Sequence, residues 1–252
     1  MKLRYRVLLT LLFGSVFLAG LISFAPASLM GSVLERTSGG TLTLAQTKGS
    51  LWNGSGVALL RLKARYQTLG SYRWKLQLLN ASLQVQAGEA VPMTVRYVPF
   101  SGRINIDNLH LALPVSIIEI AAPQLGPYQL QGSLQAGCDH LTLDASGMNG
   151  QVTMDWLHAA SALSTIRPLG DYRILVQGRG NVLDMQLSTL SGKLLLSGNG
   201  SYDNAAGMRF TGTAQAAPGT AETELNEMLH HIGPEIRPGV FTLALMPQAA
   251  VR

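Results

Sequence analysis

Between Val7 and Phe24 the sequence runs VLLTLLFGSVFLAGLISF, eighteen residues without a charge. As a helix this stretch would reach about 27 Å at about 1.5 Å per residue, against a hydrocarbon core of about 30 Å. It exceeds the roughly 7–15 apolar residues of a cleavable signal peptide. Ala25-Pro26-Ala27 fits a cleavage pattern, but the length favours a retained signal-anchor. Lys2, Arg4 and Arg6 precede the stretch, and the positive-inside rule keeps them on the cytoplasmic side. The expected order is a cytoplasmic basic segment 1–6, a transmembrane signal-anchor 7–24, a juxtamembrane linker 25–40 and a periplasmic β-rich domain 41–252. That makes a single-pass protein of a bacterial inner membrane.

The formal charge of +5 does not point to nucleic acid, because Lys2, Arg4 and Arg6 account for three of the five and the remainder is close to balanced. Cys138 is the single cysteine and cannot form an intramolecular disulfide; its expected role is that of a small buried hydrophobe. Hydrophobic residues make up 47% and charged residues 13%, about half the charged fraction usual in soluble domains. With 27 glycines, this mix suits many short strands joined by tight turns.

Internal similarity supports that reading. The pattern L-G-x-Y occurs at Leu69–Tyr72, Leu125–Tyr128 and Leu169–Tyr172, and each is expected to make a corner into a new strand. Gly102-Arg-Ile-Asn-Ile-Asp-Asn-Leu109 matches Gly150-Gln-Val-Thr-Met-Asp-Trp-Leu157 in the order of glycine, alternating apolar residues, aspartate and leucine. The alternation has period two and predicts half-buried strands. Short helical or irregular pieces are expected at Pro114–Ala122 and Asp155–Ile166, before Pro123 and Pro168. Units of this kind stack side by side. The predicted fold is all-β: an elongated, curved antiparallel sheet of two to three quasi-repeats.

In AQTKGSLWNGSG (Ala45–Gly56) the expected turns are Lys48-Gly49 and Asn53-Gly54, with Trp52 a hairpin residue packed on the sheet. Near the end, Leu225, Met228, Leu229 and Ile232 fall at i, i+3, i+4 and i+7, the stripe of an amphipathic helix capping the sheet. Gly233 and Pro234 stop it.

Motifs of chemistry are absent. The five histidines form no H-E-x-x-H, and His230-His231 read as charge at a helix C-terminus. Gly178-Arg-Gly180 lacks a third glycine, and Ser191-Gly192-Lys193 is no P-loop. Asp139 and Asp144 are read as turn residues. No catalytic, cofactor-binding or metal-binding residue is expected. One cluster remains: Arg61, Lys63 and Arg65 alternate along one predicted strand, and Arg73 and Lys75 follow. Such a face is either a solvated edge or a contact for an acidic partner or anionic headgroups.

The stretches LTLAQTKGSLWNGSG (42–56), RPLGDYRILVQGRGNVLDMQLSTLSGKLLLSGNGSY (167–202) and GTAQAAPGTAETELNEMLHHIG (212–233) give the chain its likeness. It resembles the type II secretion system protein N family. The resemblance implies a non-catalytic inner-membrane component of the machinery that exports folded proteins from the periplasm, with other secretion components as partners. The alternative from composition alone is a periplasmic carrier whose curved sheet holds lipid.

Overall fold

The computed structural model describes residues 12–15, 17, 20–62, 65–118, 123–203, 207–219 and 222–245. Lys2, Arg4, Arg6 and residues 7–11, 16, 18 and 19 of the expected anchor lie outside them. The described residues 12–15, 17 and 20–23 are helical, and Leu12, Phe13, Phe17, Leu21 and Ile22 are exposed. Among the described residues no helix is long and apolar enough to cross a membrane.

The chain divides into two compact units, residues 1–92 and 93–252. The first carries helix α1 (Ser28–Thr37) and strands β1 (Leu42–Gly49), β2 (Asn53–Leu62), β3 (Arg65–Gln77) and β4 (Ser82–Ala87). These strands pair antiparallel in sequence order. α1 lies within the expected linker 25–40, and Gly31 packs on Leu44, where an added Cβ would meet Leu44 Cβ at 3.5 Å, an ordinary contact.

The glycines of the 45–56 stretch are explained by a tryptophan elsewhere. Asn53 and Gly54 do not turn; they open β2, and the turn is made by residues 50–52. Gly54 pairs with Trp74 and Gly56 with Tyr72. The Trp74 indole lies across both glycines: a Cβ on Gly54 would come within 2.5 Å of Trp74 Cζ2 and 2.7 Å of the Ser50 carbonyl. Trp74 is 4% exposed, and its Nε1 donates to the Leu51 carbonyl at 3.1 Å. Trp52, expected on the sheet, is only half-buried. Its Nε1 instead donates to the Ile22 carbonyl at 2.8 Å. Leu51 N–H donates to Ala25 O, and Ala27 N–H to Gly49 O. The loop thus fastens the end of the N-terminal helix to the first unit.

The second unit carries β5 (Met93–Val98), β6 (Arg103–Pro114), a 3-10 helix (Pro123–Tyr128), β7 (Gln131–Asp144), β8 (Gly147–Ala160), β9 (Gly170–Gly180), β10 (Val182–Gly192), β11 (Leu194–Asp203), β12 (Gly207–Ala216), α2 (Glu222–His230), β13 (Glu235–Arg237) and β14 (Val240–Leu245). Strands β5 to β12 neighbour one another in sequence order, then β14 and β13 follow. The antiparallel sheet is as expected. The similarity between Gly102–Leu109 and Gly150–Leu157 falls on β6 and β8, which flank β7.

Because side chains alternate faces along a strand, the register sorts them. Leu111, Ala136, Met154, Ile174, Leu187, Gly198, Gly212 and Leu243 form one row across eight strands, β6 to β12 and β14. No member is polar. One residue along, Gln135, Asp155, Arg173 and Ser188 form a polar row across β7 to β10. One face of the sheet is therefore apolar and the other polar. Helix α2 seals the apolar face at one end, where Leu194, Ala214, Leu225, Met228, Leu229 and Phe241 are buried together. This is the cap predicted from the Leu225–Ile232 stripe. Away from it, Leu111, Ala136, Met154, Ile174 and Leu187 stay half-buried.

Three expectations are corrected. The three L-G-x-Y segments adopt three structures. Leu69–Tyr72 lies inside β3, where the pairing register shifts and Gly70 takes φ +131°, a bulge position suited to glycine. Leu125–Tyr128 lies in the 3-10 helix, and only Leu169–Tyr172 turns a corner, into β9. Residues 155–160, expected to be helical or irregular, extend β8, because β9 pairs with it as far as Ala159, across a register shift after Trp156. Pro114 ends β6 and does not begin a helix. Cys138 is buried on β7 as expected, and burial pushes its thiol pKa up.

Replacing Gly54 with alanine drives a methyl into Trp74 and the Ser50 carbonyl. Denaturant unfolding followed by tryptophan fluorescence should show a loss of about 1–3 kcal/mol, partly restored by adding Trp74→Leu. A neutral Gly54→Ala would contradict the indole placement.

Candidate functional site

The basic cluster is built differently from its sequence pattern. β2 ends at Leu62 and β3 begins at Arg65, so the predicted single strand is a hairpin. Lys63 lies outside the described residues. Arg61 stands opposite Tyr66, and Arg65 opposite Leu62, which places Arg65 on the other face from Arg61. Arg73 stands opposite Ser55, and Lys75 opposite Asn53. By alternation along β2, Arg61, Arg73 and Lys75 share one face. Lys48 joins them, since it also pairs with Ser55. All four are exposed, and Arg73 Nη2 donates to the Gly88 carbonyl at 2.9 Å.

Charge segregation strengthens this face. From residue 36 to residue 88 there is no Asp or Glu, while Arg36, Lys48, Arg61, Lys63, Arg65, Arg73 and Lys75 fall in that stretch. Residues 93–252 carry nine Lys and Arg against twelve Asp and Glu. The whole-chain balance concealed this split; a count in windows exposes it. Within the described residues, the ion pairs Arg103–Asp144, His140–Asp107, Arg173–Asp155 and Arg179–Asp184 all belong to the second unit. The cations of the first unit thus keep a field open to an external anion.

In the second unit the titratable groups hold the fold. Asp171 accepts from the His158 backbone N–H at 2.6 Å and from Ser191 Oγ at 3.0 Å. These bonds hold its pKa below the usual carboxylate range and fix His158 in its positive-φ conformation. Asp155 is bound bidentately by Arg173, Nε and Nη2 each at 2.7 Å, which lowers its pKa. Asp144 accepts from the Ser146 hydroxyl and backbone, which lower its pKa in turn; it ends β7 and closes the turn that follows, whereas Asp139, also expected in a turn, lies inside β7. His230 meets the Phe241 ring edge-on at 4.7 Å, and His231 Nδ1 lies 2.9 Å from the Glu227 carbonyl. Among the described residues no group of three His, Cys, Asp or Glu is placed to hold a metal ion.

The second unit also holds an apolar cavity of about 240 Å3. Its floor is the apolar sheet face, with Trp156, Tyr172, Leu187, Leu196, Phe210 and Leu243. Its sides are the 3-10 segment (Leu125, Tyr128, Leu130) and the end of α2 (Met228, Ile232). Gly198 keeps the floor low, since a Cβ there would come within 2.5 Å of Phe210 Cζ. No sequence motif announced this cavity. It arises where residues from β8 to β14 share a face.

A sequence model of the family described as "Type II secretion system (T2SS), protein N" matches residues 40–244. No curated protein and no solved structure matches the chain.

The depressed carboxylates predict acid sensitivity. A folded pKa below the unfolded value of about 4 contributes stability above pH 4, lost as the pH falls through the folded pKa. Asp171→Asn should therefore cost about 1 kcal/mol at pH 7. The gap from the parent should close as urea unfolding is repeated at lower pH, below about 4. A gap independent of pH would show that the carboxylate charge plays no part.

Proposed function

The chain belongs to the type II secretion system protein N family, and from that membership we propose a non-catalytic component of the type II secretion pathway, anchored in the inner membrane. It supports the export of folded proteins from the periplasm by contacts with other secretion components. The family match across residues 40–244 carries this reading.

The uncharged stretch Val7–Phe24 is the anchor, with Lys2, Arg4 and Arg6 in the cytoplasm and residues 41–252 in the periplasm. Two observations support it. The described part of that stretch is helical and presents exposed leucine, isoleucine and phenylalanine side chains. Its end is fastened to the first unit by Trp52 and Leu51, so the anchor is held at a fixed exit. The basic face of Lys48, Arg61, Arg73 and Lys75 then meets an acidic surface of another secretion component; Arg65 starts β3 on the other face. Long-range attraction of this kind speeds and orients docking more than it tightens it.

Topology is tested by fusing alkaline phosphatase or β-galactosidase at Arg252. The first should be active and the second silent, and the reverse would refute the orientation. The contact is tested by the triple variant Arg61→Glu, Arg73→Glu, Lys75→Glu. In-cell crosslinking to secretion components should fall about tenfold, equivalent to about 1.4 kcal/mol, while circular dichroism stays unchanged. Moderate salt should weaken the parent's contacts in the same direction. Crosslinking and secretion that ignore the reversal would remove the basic face from the function.

A further inference from the structure

The apolar face of the second unit is too large for the helix that covers it. Helix α2 seals only the β11–β12–β14 end, while Leu111, Ala136, Met154, Ile174 and Leu187 remain half-buried along one row. Contiguous apolar surface of this kind marks a binding site. Of the apolar row, Leu187 and Leu243 line the cavity beside α2, and we propose that this cavity holds the acyl chain of a membrane lipid.

The wall chemistry selects that occupant. Trp156 Nε1 already donates to the Gln131 carbonyl at 3.0 Å. Ser161 Oγ donates to the Tyr128 carbonyl at 2.7 Å, and Tyr172 OH to the Leu194 carbonyl at 2.9 Å. The floor strands use their backbone groups in the sheet ladder. At most the Tyr128 hydroxyl is left for a polar partner among the described lining side chains. A peptide laid here would bury amide groups with nothing to bond, at a cost no apolar contact offsets cheaply. An acyl chain has no such groups along its length. The cavity, about 240 Å3 and lined almost wholly by apolar side chains, suits a run of methylenes. Leu187 on β10 and Leu125 on the 3-10 segment both line the cavity, from different elements. The site is separate from the basic face and does not depend on the partner contacts proposed above.

Trp156 lines the cavity and serves as the reporter. The full chain in detergent, titrated with a brominated fatty acid below its micelle concentration, should show saturable quenching of tryptophan fluorescence. Trp156→Phe should abolish the saturable part. Leu187→Arg and Leu125→Arg, one on each element, should each weaken binding at least tenfold while their unfolding transitions stay cooperative. Two variants guard against one failing to fold. Absence of saturable quenching in the parent would overturn the proposal, and so would equal quenching in both arginine variants. So would a concentration-dependent dimer dissolved by Leu187→Arg without any quenching, which would assign the face to a second copy of the chain.

Discussion

In an antiparallel meander, the register decides which face of the sheet each side chain occupies. A strand has no freedom to rotate a residue to the other side without slipping by one position, and a slip would move every apolar side chain from one face to the other. The row from Leu111 to Leu243 shows how strictly this holds: eight successive positions, none polar. The neighbouring row carries Asp155 and Arg173, paired at 2.7 Å. Bulges absorb the exceptions. Where β3 shifts register at Gly70, one extra residue is inserted, so that Trp74 and Tyr72 still land on the buried side. The packing of Trp74, the apolar cavity and the basic face all follow from this sorting.

The two units use the sorting differently. In the first, the buried face is made by close approach: glycines in β2 admit an indole, and α1 covers β1. The outward face collects cations because no acid interrupts residues 36–88. Like charges on one exposed face repel, so the arrangement costs some stability. Among the described residues of that unit no ion pair engages these cations, while Arg73 donates to the Gly88 carbonyl. In the second unit the charges are spent internally, on Arg173–Asp155, on Asp171 holding His158, and on Asp144 closing a turn. That contrast, and not the net charge of the chain, separates a face available to a partner from one that holds the fold together.

Much of this was legible in the sequence, and what was not has a physical reason. The alternation of Gly102–Leu109 and Gly150–Leu157 placed β6 and β8, and the Leu225–Ile232 stripe placed α2, because period is a local property. The L-G-x-Y pattern misled, because a glycine followed by a tyrosine serves a bulge, a 3-10 turn or a corner equally well; pairing with a distant strand selects among them. Trp52 drew attention for its glycine neighbours, yet those glycines make room for Trp74, some twenty residues away. Arg61 and Arg65 looked like one face because no turn residue separates them. The hairpin between Leu62 and Arg65 carries no glycine, proline or asparagine to signal it.

The low charged fraction, the first anomaly of the composition, acquires a cause from the sheet. A soluble domain closes its apolar face against a second layer and leaves polar residues outside. Among the described residues, α2 and the 3-10 segment cover part of that face, and the half-buried residues beyond them remain apolar with no charge introduced to solvate them. Leaving such a face open invites edge-on and face-on association. The strands next to it do not blunt the risk with inward-pointing lysines. A face kept apolar against that hazard is best understood as a surface with an occupant. The hydrogen bonds of Trp156, Ser161 and Tyr172 to the carbonyls of Gln131, Tyr128 and Leu194 then follow from the same requirement, since each removes a polar group that the occupant would otherwise have to desolvate without return.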